Sequence, residues 1–211
     1  MARQHRVVPD ARSDIIVSAE GSAILVGPTT DVAVHDLAPG THVRGLRFRT
    51  EALGPAVRLP ASELRDATLP LSAVLPDRLA RRVAEDVWAG RFPVALRPDP
   101  VDARIAHAVR RLWRGETGVA GVAGELGLAE RHLRRLFLEH TGVGPKAVQR
   151  VGRFQRFLTG AGTANLARLA AEAGYADQAH LAREVRALAG LSPSDLLRER
   201  RSAEEFSGVL A

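Results

Sequence analysis

The C-terminal half of the chain carries an internal duplication, which restricts the possible folds more than any other feature of the sequence. One copy reads VAGELGLAERHLRRLFLEHTGVGP, from Val122 to Pro145, and the other reads LAAEAGYADQAHLAREVRALAGLSP, from Leu169 to Pro193. Each copy encodes a short helix, a glycine (Gly127, Gly174), a turn, and a longer helix built around a leucine (Leu133, Leu181). Each then closes on glycine, an apolar residue, a small residue and proline: Gly142-Val143-Gly144-Pro145 and Gly190-Leu191-Ser192-Pro193. The copies are spaced too widely for a short solenoid repeat. Two related helical units joined by a further helix fit the pattern.

A short helix, a tight turn and a longer helix make a helix-turn-helix, whose turn favours a glycine in the left-handed conformation after the first helix. Gly127 and Gly174 stand at that position. The second helix must bury one face and leave another free for a DNA groove. In the first unit Leu133, Leu136 and Phe137 form the expected buried set, while Arg131, Arg134 and Arg135 recur at i, i+3 and i+4 on another face. In the second unit Leu181, Val185 and Leu188 are the expected buried set, leaving Gln178, Ala182, Arg183 and Arg186 outside. Guanidinium groups suit phosphate and the O6/N7 edge of guanine, and a glutamine amide suits adenine. One arginine stripe would mark an ordinary solvated face. Turn glycine, core spacing and basic face occurring together twice point instead to a nucleic-acid reader. His132 and His180 lie near the starts of the two longer helices, where packing or backbone contact is the commoner use of histidine.

Charge follows the same division. Residues 1–100 hold 13 basic against 12 acidic residues, and residues 101–211 hold 17 against 12, so most of the formal +6 belongs to the helical half. A basic unit releases counterions on meeting a polyanion. Lys146 is the single lysine, so the high isoelectric point also reflects a consistent choice of arginine. The first half differs in texture. Asp14–Val17, Ala23–Val26 and the alternating Leu46-Arg47-Phe48-Arg49 read as short strands, with Gly27-Pro28 and Pro39-Gly40 as turns between them. From Ala52 the pattern becomes helical, and Leu79, Val83 and Val87 define a helix over about Asp77–Ala89 that Gly90 ends. Arg97-Pro98-Asp99-Pro100 resists helix and strand and marks a linker. The expected fold class is α+β: a small β-rich unit with helices, then an all-α unit of two helix-turn-helices. The expected divisions are a sensory or dimerisation domain over 1–97, a linker over 98–103, a DNA-binding domain over 104–201 and a flexible tail over 202–211.

Residues 119–201 resemble the DNA-binding domain of AraC/XylS-family transcription regulators. The resemblance rests on ELGLAERHLRRLF, on GVGP, and most specifically on Gly174-Tyr175, Asp177-Gln178, His180, Arg183 and Gly190-Leu191-Ser192-Pro193. It implies about seven helices, with a linking helix over about Lys146–Thr159 burying Val148, Val151, Phe154 and Leu158. It implies that two recognition helices enter successive major-groove segments about one DNA turn apart. The DNA-binding residues so implied are Arg131, His132, Arg134 and Arg135 in the first helix, and Gln178, Ala179, His180 and Arg183 in the second. Ala129 stands where the family often has a capping serine, Ala179 where serine is common, and Leu181 and Val185 where phenylalanine is common. The stretches GPTT, LAPGTHVRGLRFRTEA and LPASELRDATLPLSAVL resemble the reduced cupin-like N-terminal region of some such regulators, over about residues 7–75. Starting near Val8-Pro9-Asp10, that region begins late, which implies either a truncated domain or a misassigned start codon.

The expected partners are double-stranded DNA, RNA polymerase, a small-molecule effector and a second copy of the chain, in a cytoplasmic, bacterial setting. No membrane association, cofactor, metal or catalytic residue is expected. His35 and His42 lack the paired spacing of a cupin metal site. No G-x-S-x-G, P-loop or H-E-x-x-H motif occurs. The chain has no cysteine, which removes the alkyl-transfer repair chemistry associated with some proteins bearing this type of domain.

Overall fold

The computed structural model describes residues 3–160 and 165–207. Its first part is a four-stranded antiparallel sheet with a separate two-stranded ribbon. The strands are β1 (Arg3–Val7), β2 (Ser13–Ser18), β3 (Ala23–Val26), β4 (Ala33–Leu37), β5 (Val43–Phe48) and β6 (Thr68–Pro70). The sheet runs β5-β2-β3-β6, and the ribbon pairs β1 with β4, placing His5 opposite His35. In β2 the side chains alternate inward and outward, with Ser13, Ile15 and Val17 buried, as a strand with one covered face requires. Two helices, α1 (Leu53–Val57) and α2 (Asp77–Trp88), contribute Leu53, Val57, Val83 and Val87 to the same core.

Three strands were not legible as such. β1 and β4 form a largely exposed ribbon with polar residues at most positions, so no apolar alternation marks them. β6 interrupts the stretch expected to be helical after Ala52. It is short and ends in Pro70, and it lies at a sheet edge, the place where a strand tolerates proline.

The second part is all helical among the described residues: α3 (Ala103–Arg114), α4 (Val119–Glu125), α5 (Glu130–Thr141), α6 (Pro145–Thr159), α7 (Leu166–Ala173), α8 (Gln178–Ala189) and α9 (Pro193–Ser207). Asp102 caps α3, its side chain accepting the Arg104 N–H at 2.9 Å. The Arg104 guanidinium holds the Asp102 carboxyl down at about 2. α9 continues six residues past Arg201 into the stretch expected to be a tail, and residues 208–211 of that stretch lie outside the described residues. Two apolar cores result. The first gathers Ile105, Leu112, Val122, Leu133, Phe137, Val148 and Val151, and the second gathers Phe154, Phe157, Leu169, Leu181, Val185 and Leu188. Helix α6 supplies side chains to both, so it is a shared wall rather than a spacer.

The N-terminal segment reaches across to these cores. Ala11, fully buried, belongs to the first core, and Val8 packs on the second. Gln155 of α6 donates to the Pro9 carbonyl at 2.8 Å. Arg6 donates to the Ala189 carbonyl at the end of α8 and to Glu199 of α9, each at 3.0 Å. A second contact joins the halves at the end of α5, where a β-carbon on Gly142 would lie 2.6 Å from both the Ala61 carbonyl and Pro28 Cγ.

Candidate nucleic-acid interface

Each helix-turn-helix is built on a left-handed glycine. Gly127 follows α4 with φ 64°, and Gly174 follows α7 with φ 87°. A side chain in this region carries a steric penalty that glycine avoids. The turns present α5 and α8 with their apolar faces inward: Leu133, Leu136 and Phe137 in one, Leu181, Val185 and Leu188 in the other, as the spacing predicts.

On the outer face of α5, Arg131, His132, Arg134 and Arg135 are all exposed. Arg135 Nη2 lies 3.3 Å from His132 Nε2, so the imidazole accepts from and orients one guanidinium. On α8, Gln178, Ala179, Arg183 and Arg186 are exposed. His180 differs from its neighbours. It is half-buried, its ring stands edge-on to Tyr175 with centroids 5.3 Å apart, and its Nδ1 accepts the Ala176 N–H at 3.4 Å. These contacts brace the turn that sets the angle of α8.

Ion pairing is uneven over the surface, and exposed arginines away from these helices, such as Arg82 and Arg110, are also unpaired among the described residues. Arg104, Arg111, Arg150, Arg168 and Arg198 each pair with a carboxylate. Among the described residues, Arg131, Arg134, Arg135, Arg183 and Arg186 form no ion pair. Their charge is therefore available to an external anion.

The two recognition helices begin differently. Asp177 caps α8, accepting the His180 N–H at 2.6 Å, whereas Ala129 offers α5 no side-chain cap and leaves Glu130 as its acidic first-turn residue. A serine, aspartate or asparagine cap contributes about 1 kcal/mol over alanine. Ala129→Ser is expected to raise the stability of the domain by about 0.5–1 kcal/mol, and Asp177→Ala to lower it by about 1 kcal/mol. Urea midpoints measured on both variants check this; midpoints that do not move in opposite directions contradict the capping assignment.

Sequence spacing did not reveal the polar side of α6. Arg150 pairs with Glu184 of α8 at 2.7 Å, and Arg153 lies over the Tyr175 ring, 5.4 Å from its centroid. Arg156 donates to the carbonyls of Trp113 and Ala173. The three recur at i, i+3 and i+6, a pattern that by itself reads as a solvated stripe. Tyr175 is buried with its hydroxyl unpartnered, and burial pushes that hydroxyl up to about 12. His35 and His42, on the ribbon and the following loop, are exposed.

Two basic helices, each set on a glycine turn and bound to one shared helix, define a double helix-turn-helix module that binds DNA. Residues 122–199 match the family of helix-turn-helix domains, and this part of the chain is such a domain of the AraC type, the module of DNA-binding transcription regulators. Residues 1–70 match a family known as a domain of unknown function, which here forms the cupin-like region. Among solved structures, the chain is similar to a probable AraC-family transcriptional regulator from Rhodopseudomonas palustris at 20% identity, over 46% of this chain and 97% of that one, with a TM-score of 0.40. It is also similar to ToxT from Vibrio cholerae at 13% identity, over 93% of each chain, with a TM-score of 0.48. A ToxT structure bound to an unsaturated fatty acid is similar at 14% identity, over 93% of this chain and 91% of that one, with a TM-score of 0.47. No curated protein matches the chain.

Proposed function

We propose that the chain is a sequence-specific transcription regulator that places α5 and α8 in successive major-groove segments of double-stranded DNA. The observation that carries this reading is the pair of exposed arginine faces, one on each helix that follows a glycine turn, left without carboxylate partners among the described residues. Arg131, Arg134 and Arg135 contact guanine edges and phosphates from the first unit, and His132 holds Arg135 in place. In the second unit Gln178 reads adenine, the Ala179 methyl meets a thymine methyl, Arg183 takes guanine or phosphate, and His180 braces the turn. In this reading residues 104–201 read DNA and residues 1–97 modulate the reading. The work is done in the cytoplasm, where DNA and RNA polymerase are; no described helix is long and apolar enough to cross a membrane.

Modulation has two forms. In one, the N-terminal unit binds a small-molecule effector; in the other, it is a dimerisation or protein-interaction platform without one. The concavity lined by Arg78, Arg81, Arg82, Glu85, Asp86 and Arg91, charged rather than apolar, favours the second. DNA binding itself is tested by recovering fragments that the purified protein retains from genomic DNA. Convergence on one motif is expected, and an unenriched pool contradicts the proposal.

A further inference from the structure

Helix α6 joins the two DNA-reading units, and one of its side chains touches the end of a helix in each. The Arg156 guanidinium donates through Nη1 to the carbonyl of Trp113, in the last turn of α3. Through Nη2 it donates to the carbonyl of Ala173, the last residue of α7, at 3.1 Å. Helix α3 belongs to the first core and α7 to the second. Both helices end on a left-handed glycine, Gly115 and Gly174. The space above Gly115 is filled by the guanidinium, since a β-carbon there would lie 2.6 Å from Arg156 Nη2. A planar, permanently charged fork can satisfy two carbonyls at once, and a positive charge is favoured at the negative end of each helix. The cation is half-buried, with Arg153 and Tyr175 as the other titratable groups close to it.

We propose that Arg156 is a positioning residue that fixes the two helix-turn-helix units relative to one another, and so sets the spacing of the two DNA segments the protein accepts. The inference rests on the reading of α5 and α8 as DNA-recognition helices. The apolar cores on either side of α6 hold each unit to that helix. Arg156 ties one helix end of each unit together through a single rigid group. Lysine in its place could reach one carbonyl at a time; methionine could reach neither.

Two measurements on the full-length chain separate this role from plain stabilisation. The first needs no DNA. Because the chain lacks cysteine, Ala120→Cys in α4 and Ala171→Cys in α7, both at exposed positions, give one spin-label pair across the units. A single narrow distance distribution is expected with Arg156 present, a broad or shifted one with Arg156→Met, and an intermediate one with Arg156→Lys. Circular dichroism on the same samples confirms that the helices are retained, and if Arg156→Met fails to fold, the lysine variant carries the comparison.

The second uses the motif recovered from genomic DNA, with one base pair added to or removed from the stretch between the two contacted segments. Each base pair changes the separation by about 3.4 Å and the phase by about 35°. The unaltered protein is expected to lose about tenfold or more in affinity on the altered spacing, the cost of a lost base contact. Arg156→Met is expected to lose less than about threefold on the same change, having given up the fixed spacing. Unchanged distance distributions, or a variant penalised by altered spacing as strongly as the parent, overturn the proposal. A parent protein that binds no DNA contradicts the DNA-binding reading while leaving the distance measurement to decide the role of Arg156.

Discussion

Arg135→Ala combined with Arg183→Ala is expected to weaken binding to the selected DNA site by about 2–6 kcal/mol, or from about thirtyfold to about twenty-thousandfold. Each arginine accounts for about 1–3 kcal/mol where it meets a base edge. The two sit on different helices in different cores, so their effects are expected to add. Stability is expected to stay within about 0.5 kcal/mol, since both side chains are exposed and neither is ion-paired among the described residues. Binding to unrelated DNA is expected to fall less, and its dependence on salt to flatten as phosphate contacts go. Titrations at several salt concentrations, on the selected site and on an unrelated duplex, check each part. Equal losses on both duplexes mean that these arginines touch only phosphate; no loss on either contradicts the assignment of the faces.

Gly152→Val is expected to destabilise the helical half by at least about 3 kcal/mol, the upper range for overpacking a filled core. Gly152 sits where α6 crosses α3. A β-carbon there would lie 2.6 Å from the Trp113 carbonyl oxygen, 2.8 Å from its Cα and 3.1 Å from its carbonyl carbon. These are backbone atoms and cannot rotate away, so α3 would have to move. That movement would open the contact among Ile105, Leu112, Val148 and Val151 and draw the Trp113 carbonyl away from Arg156. Helix propensity acts against the loss but is too small, since replacing a helical glycine gains at most about 1 kcal/mol. Urea unfolding with a lowered midpoint and an unchanged slope is the expected result. An unchanged midpoint would mean that α3 and α6 cross elsewhere.

The sequence made the reading helices legible because their constraints are local. Gly127 and Gly174 lie at the required turn positions, the leucines recur at helical spacing, and Asp177 stands one residue before the helix it caps. The buried stripe of α6 was readable in the same way, through Val148, Val151, Phe154 and Leu158. Phe157 was not, because it lies beside that stripe rather than on it, although it is buried in the same core as Phe154 and Leu158. Gly152 and Arg156 act through residues far away in the chain, Trp113 and Ala173, and local spacing says nothing about such partners. The segment Val8–Ala11 is a similar case. Its sequence reads as the start of the β-rich unit, yet Val8 and Ala11 pack against the helical cores. The β1–β4 ribbon has no covered apolar face, so periodicity could not reveal it.

The most direct test of the central claim is a hydroxyl-radical and base-methylation footprint of the purified chain on the motif recovered from genomic DNA. Two protected major-groove segments on one face of the duplex, about one helical turn apart, are the predicted result. Loss of the protection due to α5 alone in Arg131→Ala/Arg135→Ala, and of that due to α8 alone in Gln178→Ala/Arg183→Ala, would assign each segment to its helix. A single protected segment, or protection spread evenly along the DNA without regard to sequence, would contradict the account.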